Sequence, residues 1–349
     1  MDFESIFGEM NLTRDKKMMC RSRHAVSVFI YYVNVALIGP VAITGVILNV
    51  INIIALNRQR MAAAAVFMLE FLALLDIGVL ITGFIYFVLR YMYGNRGVSK
   101  HGFYYSGWGF NLSLALKIDP LYNALLQTRN WCLVLISVDR LIVILAPLKA
   151  KIWSTRKNAI KSIAVLVVFD VVLRVLNSLY VQKFHLTLGT NLCTGETHLK
   201  ARKISPLNPA TIYAIENASY IVCFVTLPLI LLIIINAVLI TSLAKSQKSR
   251  ESMTQNDQRV TSGHKQATKM IVGIITVFII CESAPSIDRL AKLFLKHGYP
   301  RAIEIKLNYL RRISLFLVIA DSSLNFFVYF FSNFKFRLVV LQLFNGDTR

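Results

Sequence analysis

The chain has 349 residues, of which 56% are apolar, and a formal charge of +21, with a mean hydropathy of +0.57. Soluble domains average roughly 45–50% apolar residues, so this bulk composition excludes an ordinary water-soluble domain and points to a membrane protein. The basic charge is spread over connecting segments, with no basic helix to follow a duplex, so nucleic acid is excluded as the partner and an anionic lipid bilayer is favoured.

From the N-terminus, Met1 to Arg23 is polar and lacks a short apolar stretch, so no cleavable signal peptide is expected and the first apolar span acts as its own insertion signal. A helix needs about 20 apolar residues to cross a bilayer. Seven segments satisfy this: 29–56, 63–89, 112–145, 159–182, 213–243, 269–294 and 313–332. Pro228 and Pro285 fall inside the fifth and sixth, where neighbouring helices can satisfy the freed carbonyls. The predicted fold is an all-α membrane bundle. Its parts are an extracellular segment over 1–28, a seven-span domain over 29–332, and an amphipathic helix with a short tail over 333–349. In that last part Phe334, Phe336, Leu338, Val339, Leu341, Leu343 and Phe344 alternate with Lys335, Arg337 and Gln342, a pattern suited to the bilayer surface.

Lysine and arginine divide nearly evenly between the two sides of such a bundle, so charge counting does not orient it. Three glycosylation sequons, at Asn11, Asn111 and Asn217, fall on one side and place the N-terminus outside.

Polar residues inside the spans are costly and are functional candidates by default. They are Asn49 in span one, Asp76 in span two, Arg129 and the pair Asp139-Arg140 in span three, and Asp321, Asn325 and Tyr329 in span seven. In span four, Asp170 and Arg174 stand four apart on one helical face, either paired with each other or facing the ligand. No His-Glu-x-x-His, inverted repeat or paired catalytic Asp motif is present, so an enzyme or transporter is disfavoured and no cofactor or metal is expected.

These residues sit in recognisable surroundings. Asp139-Arg140-Leu141 is followed by Pro147-Leu148. Gly45-Val-Ile-Leu-Asn49-Val50 lies in span one and Leu72-Ala-Leu-Leu-Asp76 in span two. Span six holds Phe278…Cys281-Glu282-Ser283-Ala284-Pro285, and span seven holds Asn325-Phe-Phe-Val-Tyr329. In these motifs the chain resembles the rhodopsin family of G-protein-coupled receptors over about 29–344. Trp131 and the run Asp321-Ser-Ser-Leu-Asn325 make it most similar to invertebrate neuropeptide receptors of the FMRFamide type.

The resemblance implies a plasma-membrane receptor that binds an extracellular peptide and activates a heterotrimeric G protein, with arrestin as a further partner. The alternative is a chemosensory receptor for a small non-peptide cue. The switch residues implied are Asn49, Asp76, Arg129, Asp139, Arg140, Pro228, Pro285, Asp321, Asn325 and Tyr329.

The chain also departs from the family. Ala115 stands where the third helix usually carries a Cys, and only Cys20 and Cys193 face the oxidising side, so they are the expected disulfide. The positions that hold an amine-binding Asp and a retinal-binding Lys in relatives are Tyr122 and Ile319 here, which favours neither an amine receptor nor an opsin. Arg129 stands about three turns, roughly 16 Å, from Arg140. Family members keep a small polar residue there, beside a sodium ion. Arg129 either pairs with Asp76 and Asp321 in the ion's place or turns the other way to Glu282. For the ligand pocket the expected residues are Asp119, Tyr122, Asn123 and Leu126 on one side. Glu216, Glu282, Asp288, Lys292, Arg311 and Arg312 face them.

Overall fold

The computed structural model describes residues 28–58, 63–89, 104–181, 183–190, 197–204, 226–248, 255–294 and 301–345. Within them the chain is helical apart from one hairpin. The helices are α1 (Val28–Asn57, with Val33–Ile38 π-helical), α2 (Ala63–Gly83, continued as a π-helix over Phe84–Leu89), α3 (Tyr104–Leu145), α4 (Pro147–Trp153), α5 (Arg156–Val181), α6 (Leu227–Lys248), α7 (Gln255–Phe294), α8 (Arg301–Ser332) and α9 (Phe334–Asn345). Between α5 and α6, β1 (Lys183–Thr190) pairs antiparallel with β2 (Thr197–Ile204), in register Leu186 to Ala201 and Leu188 to Leu199. The alternation Phe184, Leu186, Leu188 has the period of two that a strand requires.

Among the described residues four stretches are long and apolar enough to cross a membrane: Val28–Asn57, Ala64–Leu89, Thr268–Asp288 and Ile305–Ser332. The helices also turn apolar side chains outward, as Val165, Val168, Phe169 and Val172 do on α5, and Ile230, Ile233 and Ile234 on α6. In water such faces would be a liability; in lipid they are the ordinary surface. The chain is a multi-pass membrane protein.

Local chemistry sets the helix ends. α3 stops at Leu145 because Pro147 disfavours helical geometry at Ala146, which adopts φ −136°, and Pro147 then opens α4 as its first residue. The Asn158 side chain donates to the carbonyls of Ile152 (3.1 Å) and Trp153 (3.2 Å), while its N–H is capped by Thr155 Oγ1 at 3.3 Å, so one short joint satisfies the end of α4 and the start of α5. At the other break, Asn333 Oδ1 accepts the N–H of Phe336 at 3.1 Å and starts α9. α9 buries Phe336 and Val340 and leaves Phe334, Leu338, Leu341 and Phe344 outward.

Three expected boundaries move, one of them at the start of α7, which begins at Gln255 where the sequence reading began at 269. α3 begins at Tyr104, so Asn111 lies two turns inside a helix instead of at its outer boundary, and α8 begins at Arg301, so Arg311 and Arg312 lie within it. Hydropathy marks where a helix meets lipid, but backbone hydrogen bonding carries the helix on into water, and the sequence reading stopped at the first of these limits.

Two apolar clusters form the core. The larger, at the Arg140 end, includes Leu69, Leu72, Leu133, Ile136, Ile275, Phe278, Tyr329 and Phe336. The smaller includes Val33, Ile38, Val79, Leu80, Tyr122, Leu126 and Ile319. Along α2, α3 and α8, the residues Asp76, Arg129 and Asp321 fall between the two.

Candidate functional site

Three polar centres lie along α3. At the end remote from Arg140, a cavity of about 340 Å³ opens among α2, α3, α7 and α8. Its lining includes Asp119, Tyr122, Asn123 and Leu126 from α3, Asp288 from α7, and Arg311 and Arg312 from α8, all expected there from the sequence, together with Pro285 of α7, which was expected among the switch residues instead. Glu282 is buried on α7 and is not part of the wall. Glu216 and the side chain of Lys292 lie outside the described residues.

Sequence reasoning missed the aromatic wall. Tyr86 and Phe87 reach the cavity from the π-helical end of α2, with ring centroids 4.6 Å apart, and Phe87 meets Tyr122 edge to face at 5.3 Å. Each π-helical turn takes more residues than an α-helical one, so side chains beyond it point in directions that a 3.6-residue period does not give. On the charged side, Asp288 and Arg311 form an ion pair of 3.8 Å in which the Asp288 side chain is 6% exposed and the Arg311 side chain 47%.

The second centre is Arg129. Its side chain is fully buried, donates from Nε to Asp76 Oδ1 at 2.5 Å and from Nη2 to Asp321 Oδ2, and lies with its guanidinium carbon 5.7 Å from the centre of the Phe278 ring. Asn325 donates to the other oxygen of Asp76 at 2.7 Å. Four helices therefore meet at one guanidinium: α2 through Asp76, α3 through Arg129, α7 through Phe278, and α8 through Asp321. Of the two orientations the sequence left open for Arg129, this is the one found. A lone buried charge is prohibitive in this setting, and two carboxylates with an amide make it tolerable.

Neighbouring bonds brace the same level. Asn49 donates to the carbonyls of Gly45 (2.9 Å) and Ser322 (2.8 Å), and Ser323 to that of Val41 (3.2 Å), which ties α1 to α8. Thr128 donates to Asp170 at 2.9 Å, joining α3 to α5, and the side chain of Arg174 lies outside the described residues.

The third centre is the Asp139-Arg140 pair, which is buried. Arg140 donates to Asp139 Oδ2 through Nη2 and through Nε at 3.0 Å. Tyr329 is buried nearby in sequence terms to α9, packing on Phe336 at 5.5 Å, whereas Asn325 belongs to the Asp76 centre. Pro228 stands in the first turn of α6 as described, and Pro285 inside α7. Cys20, Cys193, Asn11 and Asn217 lie outside the described residues, as does the side chain of Asn111. Among the described residues no cluster of three His, Cys, Asp or Glu side chains could hold a metal ion.

This arrangement, a cavity with charged walls and a buried Asp-Arg pair towards opposite ends of one long helix, accords with what the whole chain resembles. Residues 36–346 match the family described as serpentine type 7TM GPCR chemoreceptor Srw. The chain belongs to that family. It is also similar to neuromedin-U receptor 2 of Homo sapiens, 28% identical over 255 residues, which cover 72% of this chain and 57% of the relative. To the FMRFamide receptor of Drosophila melanogaster it is 23% identical over 326 residues, 90% of this chain and 54% of that one. The chain thus spans about half the length of the curated relatives it matches. Its kin are receptors and not enzymes, and this chain is read as a G-protein-coupled receptor.

Proposed function

We propose that the protein is a plasma-membrane receptor with seven spans and an extracellular N-terminus, which binds an extracellular peptide and activates a heterotrimeric G protein. In this reading α1, α2, α3, α5, α6, α7 and α8 are the spans, α9 is an eighth helix on the inner leaflet, and 1–28 is the outer segment. The observation that carries it is the layout along α3: the cavity at Tyr122 and the pair at Arg140 are 18 residues apart, about 27 Å of one helix, with Arg129 between them. A ligand that favours one arrangement of α7 and α8 around Arg129 shifts the population in which the inner groove beside Arg140 is open. The two peptide-receptor relatives support a peptide ligand. Arrestin is a further partner of the same inner surface, and Cys20–Cys193 the outer disulfide.

The test is Arg140→Ala. It is expected to abolish G-protein activation in a nucleotide-exchange assay while ligand binding persists. Loss of both binding and activation would assign Arg140 to folding and remove the inner switch from this account.

A second reading is a chemosensory receptor for a small cue. The family description favours it, as does a cavity at the small end of the roughly 300–1,000 Å³ typical of ligand pockets. A functional screen of amidated peptides against small volatile and water-soluble compounds separates the two.

A further inference from the structure

The outward face of α5 is an apolar stripe that ends in two lysines. Val165, Val168 and Val172 are 68%, 63% and 49% exposed, and steps of three and four residues put them on one side of the helix. Lys161 and Lys157 continue the same stripe by one turn and then another, and both are exposed. The opposite side, with Ala159, Ile163, Leu166 and Asp170, is buried in the bundle. From Lys161 to Val172 the helix rises about 16 Å, close to half of a hydrocarbon core roughly 30 Å thick. The stripe is therefore one leaflet tall, with its lysines at the foot.

The surroundings of this pair lack any anion. Over 141–169 the charged residues are Lys149, Lys151, Arg156, Lys157 and Lys161, with no Asp or Glu. Arg156 turns to α2, its guanidinium carbon 5.8 Å from the centre of the Phe67 ring. Among the described residues no carboxylate stands within ion-pair distance of Lys157 or Lys161. Beside them, Trp153 is 62% exposed, and its carbonyl accepts from the Asn158 side chain at 3.2 Å, which holds it against the first turn of α5. An exposed indole is typical of the level where acyl chains meet headgroups.

We propose that Lys157, Lys161 and Trp153 form a site for one anionic phospholipid of the leaflet at the Arg140 end. The lipid phosphate lies between the two ammonium groups, the glycerol region beside the indole, and an acyl chain along Val165, Val168 and Val172. The proposal rests on the reading of α5 as a span. Lysine stems lie along apolar surface and carry their charge to the headgroup level, where a fixed anion is the partner that the chain itself does not supply. A phosphatidylcholine phosphate brings its own cation and gains less. A soluble protein is the poorer fit, because Lys161 stands on the lipid-facing stripe itself, where such a partner must first displace lipid. Each lysine near an anionic headgroup contributes about fivefold in affinity, so the pair gives about 25-fold.

The full-length protein in detergent micelles is titrated with phosphatidylcholine or phosphatidylglycerol, and bound lipids are counted by native mass spectrometry. One phosphatidylglycerol is expected to bind about 25-fold more tightly than phosphatidylcholine and to be lost when Lys157→Gln and Lys161→Gln are combined, each alone costing about fivefold. Lys149→Gln with Lys151→Gln removes the same charge and is expected to keep that lipid. Equal loss in the two double variants assigns the preference to the general field of the surface and overturns the site. Displacement by millimolar glycerol 3-phosphate makes it a site for soluble phosphate and overturns the lipid assignment. An unchanged lipid count with slower G-protein nucleotide exchange in neutral nanodiscs gives this face to a protein and overturns it too. Should the double variant fail to fold, as its melting temperature would show, the single variants decide. Val168→Cys in nanodiscs is expected to resist a water-soluble maleimide. Labelling there withdraws α5 as a span and the site with it, whereas protection without a lost lipid overturns the site alone.

Discussion

Removing the guanidinium of Arg129 while keeping its two carboxylates is the most direct test of how the bundle is held. In Arg129→Met the stem of similar length remains, but Asp76 and Asp321 lose their shared partner and Phe278 loses the cation beside it. Each ion contact is worth about 4 kcal/mol at 4 Å with an effective dielectric of about 20. Two such contacts, less the repulsion between the carboxylates that the guanidinium bridges, give a gross loss of several kcal/mol. Proton uptake by the stranded carboxylates limits the net penalty to about 3–5 kcal/mol, the range for breaking a buried pair on one side.

The companion variant replaces the whole centre, Asp76→Asn, Arg129→Met and Asp321→Asn together. It leaves no buried charge, so it is expected to recover most of that loss, since exchanging an entire buried ionic group for neutral residues is often neutral or stabilising. The assay is thermal unfolding of the purified receptor in nanodiscs, followed by a thiol-reactive dye at the buried Cys132 and Cys281. A melting temperature for Arg129→Met equal to that of the parent, or a triple variant as unstable as the single one, would refute the reasoning that Arg129 exists to neutralise Asp76 and Asp321.

Further outcomes follow from the packing. At Gly45 an added Cβ would collide with the Ser323 side chain and come within 2.9 Å of Leu80 Cδ1, so Gly45→Ala should lower stability by about 1–3 kcal/mol. Gly39→Ala, whose Cβ would sit 3.7 Å from Val88, should be tolerated in the same melting assay. Thr128→Val removes a buried hydrogen bond to Asp170 while keeping the shape, and is expected to cost about 1–3 kcal/mol, with Asp170→Asn restoring part of it. Asn333→Ala takes the cap from α9 and should cost about 1 kcal/mol, read as faster proteolysis after Lys335 and Arg337 without loss of ligand binding.

Much of the architecture was legible before any coordinates, because a membrane leaves few choices. A bilayer forces every backbone group into internal hydrogen bonds, so long apolar runs are expected to be helices, and among the described residues four of the seven expected runs are helices long and apolar enough to cross. The same constraint makes Asp76, Arg129, Asp139, Arg140 and Asp321 conspicuous in a lipid-facing sequence. Regular helix geometry then carries Arg129 three turns from Arg140, to the depth where Asp76 and Asp321 can reach it.

What only the tertiary structure decided is direction. Sequence left Arg129 free to meet Glu282 instead, and the choice was made by the azimuth at which α2 and α8 present their carboxylates to α3, a property of three packed helices at once. Tyr86 and Phe87 were missed because the π-helical end of α2 turns them out of the α-helical register. Arg311 and Arg312 were expected at the mouth of a span. They lie within a helix that continues outward, and their opposition to Asp288 depends on where α8 crosses α7. Periodicity along one helix fixes which residues share a face, but it holds no information about the neighbour that the face will meet.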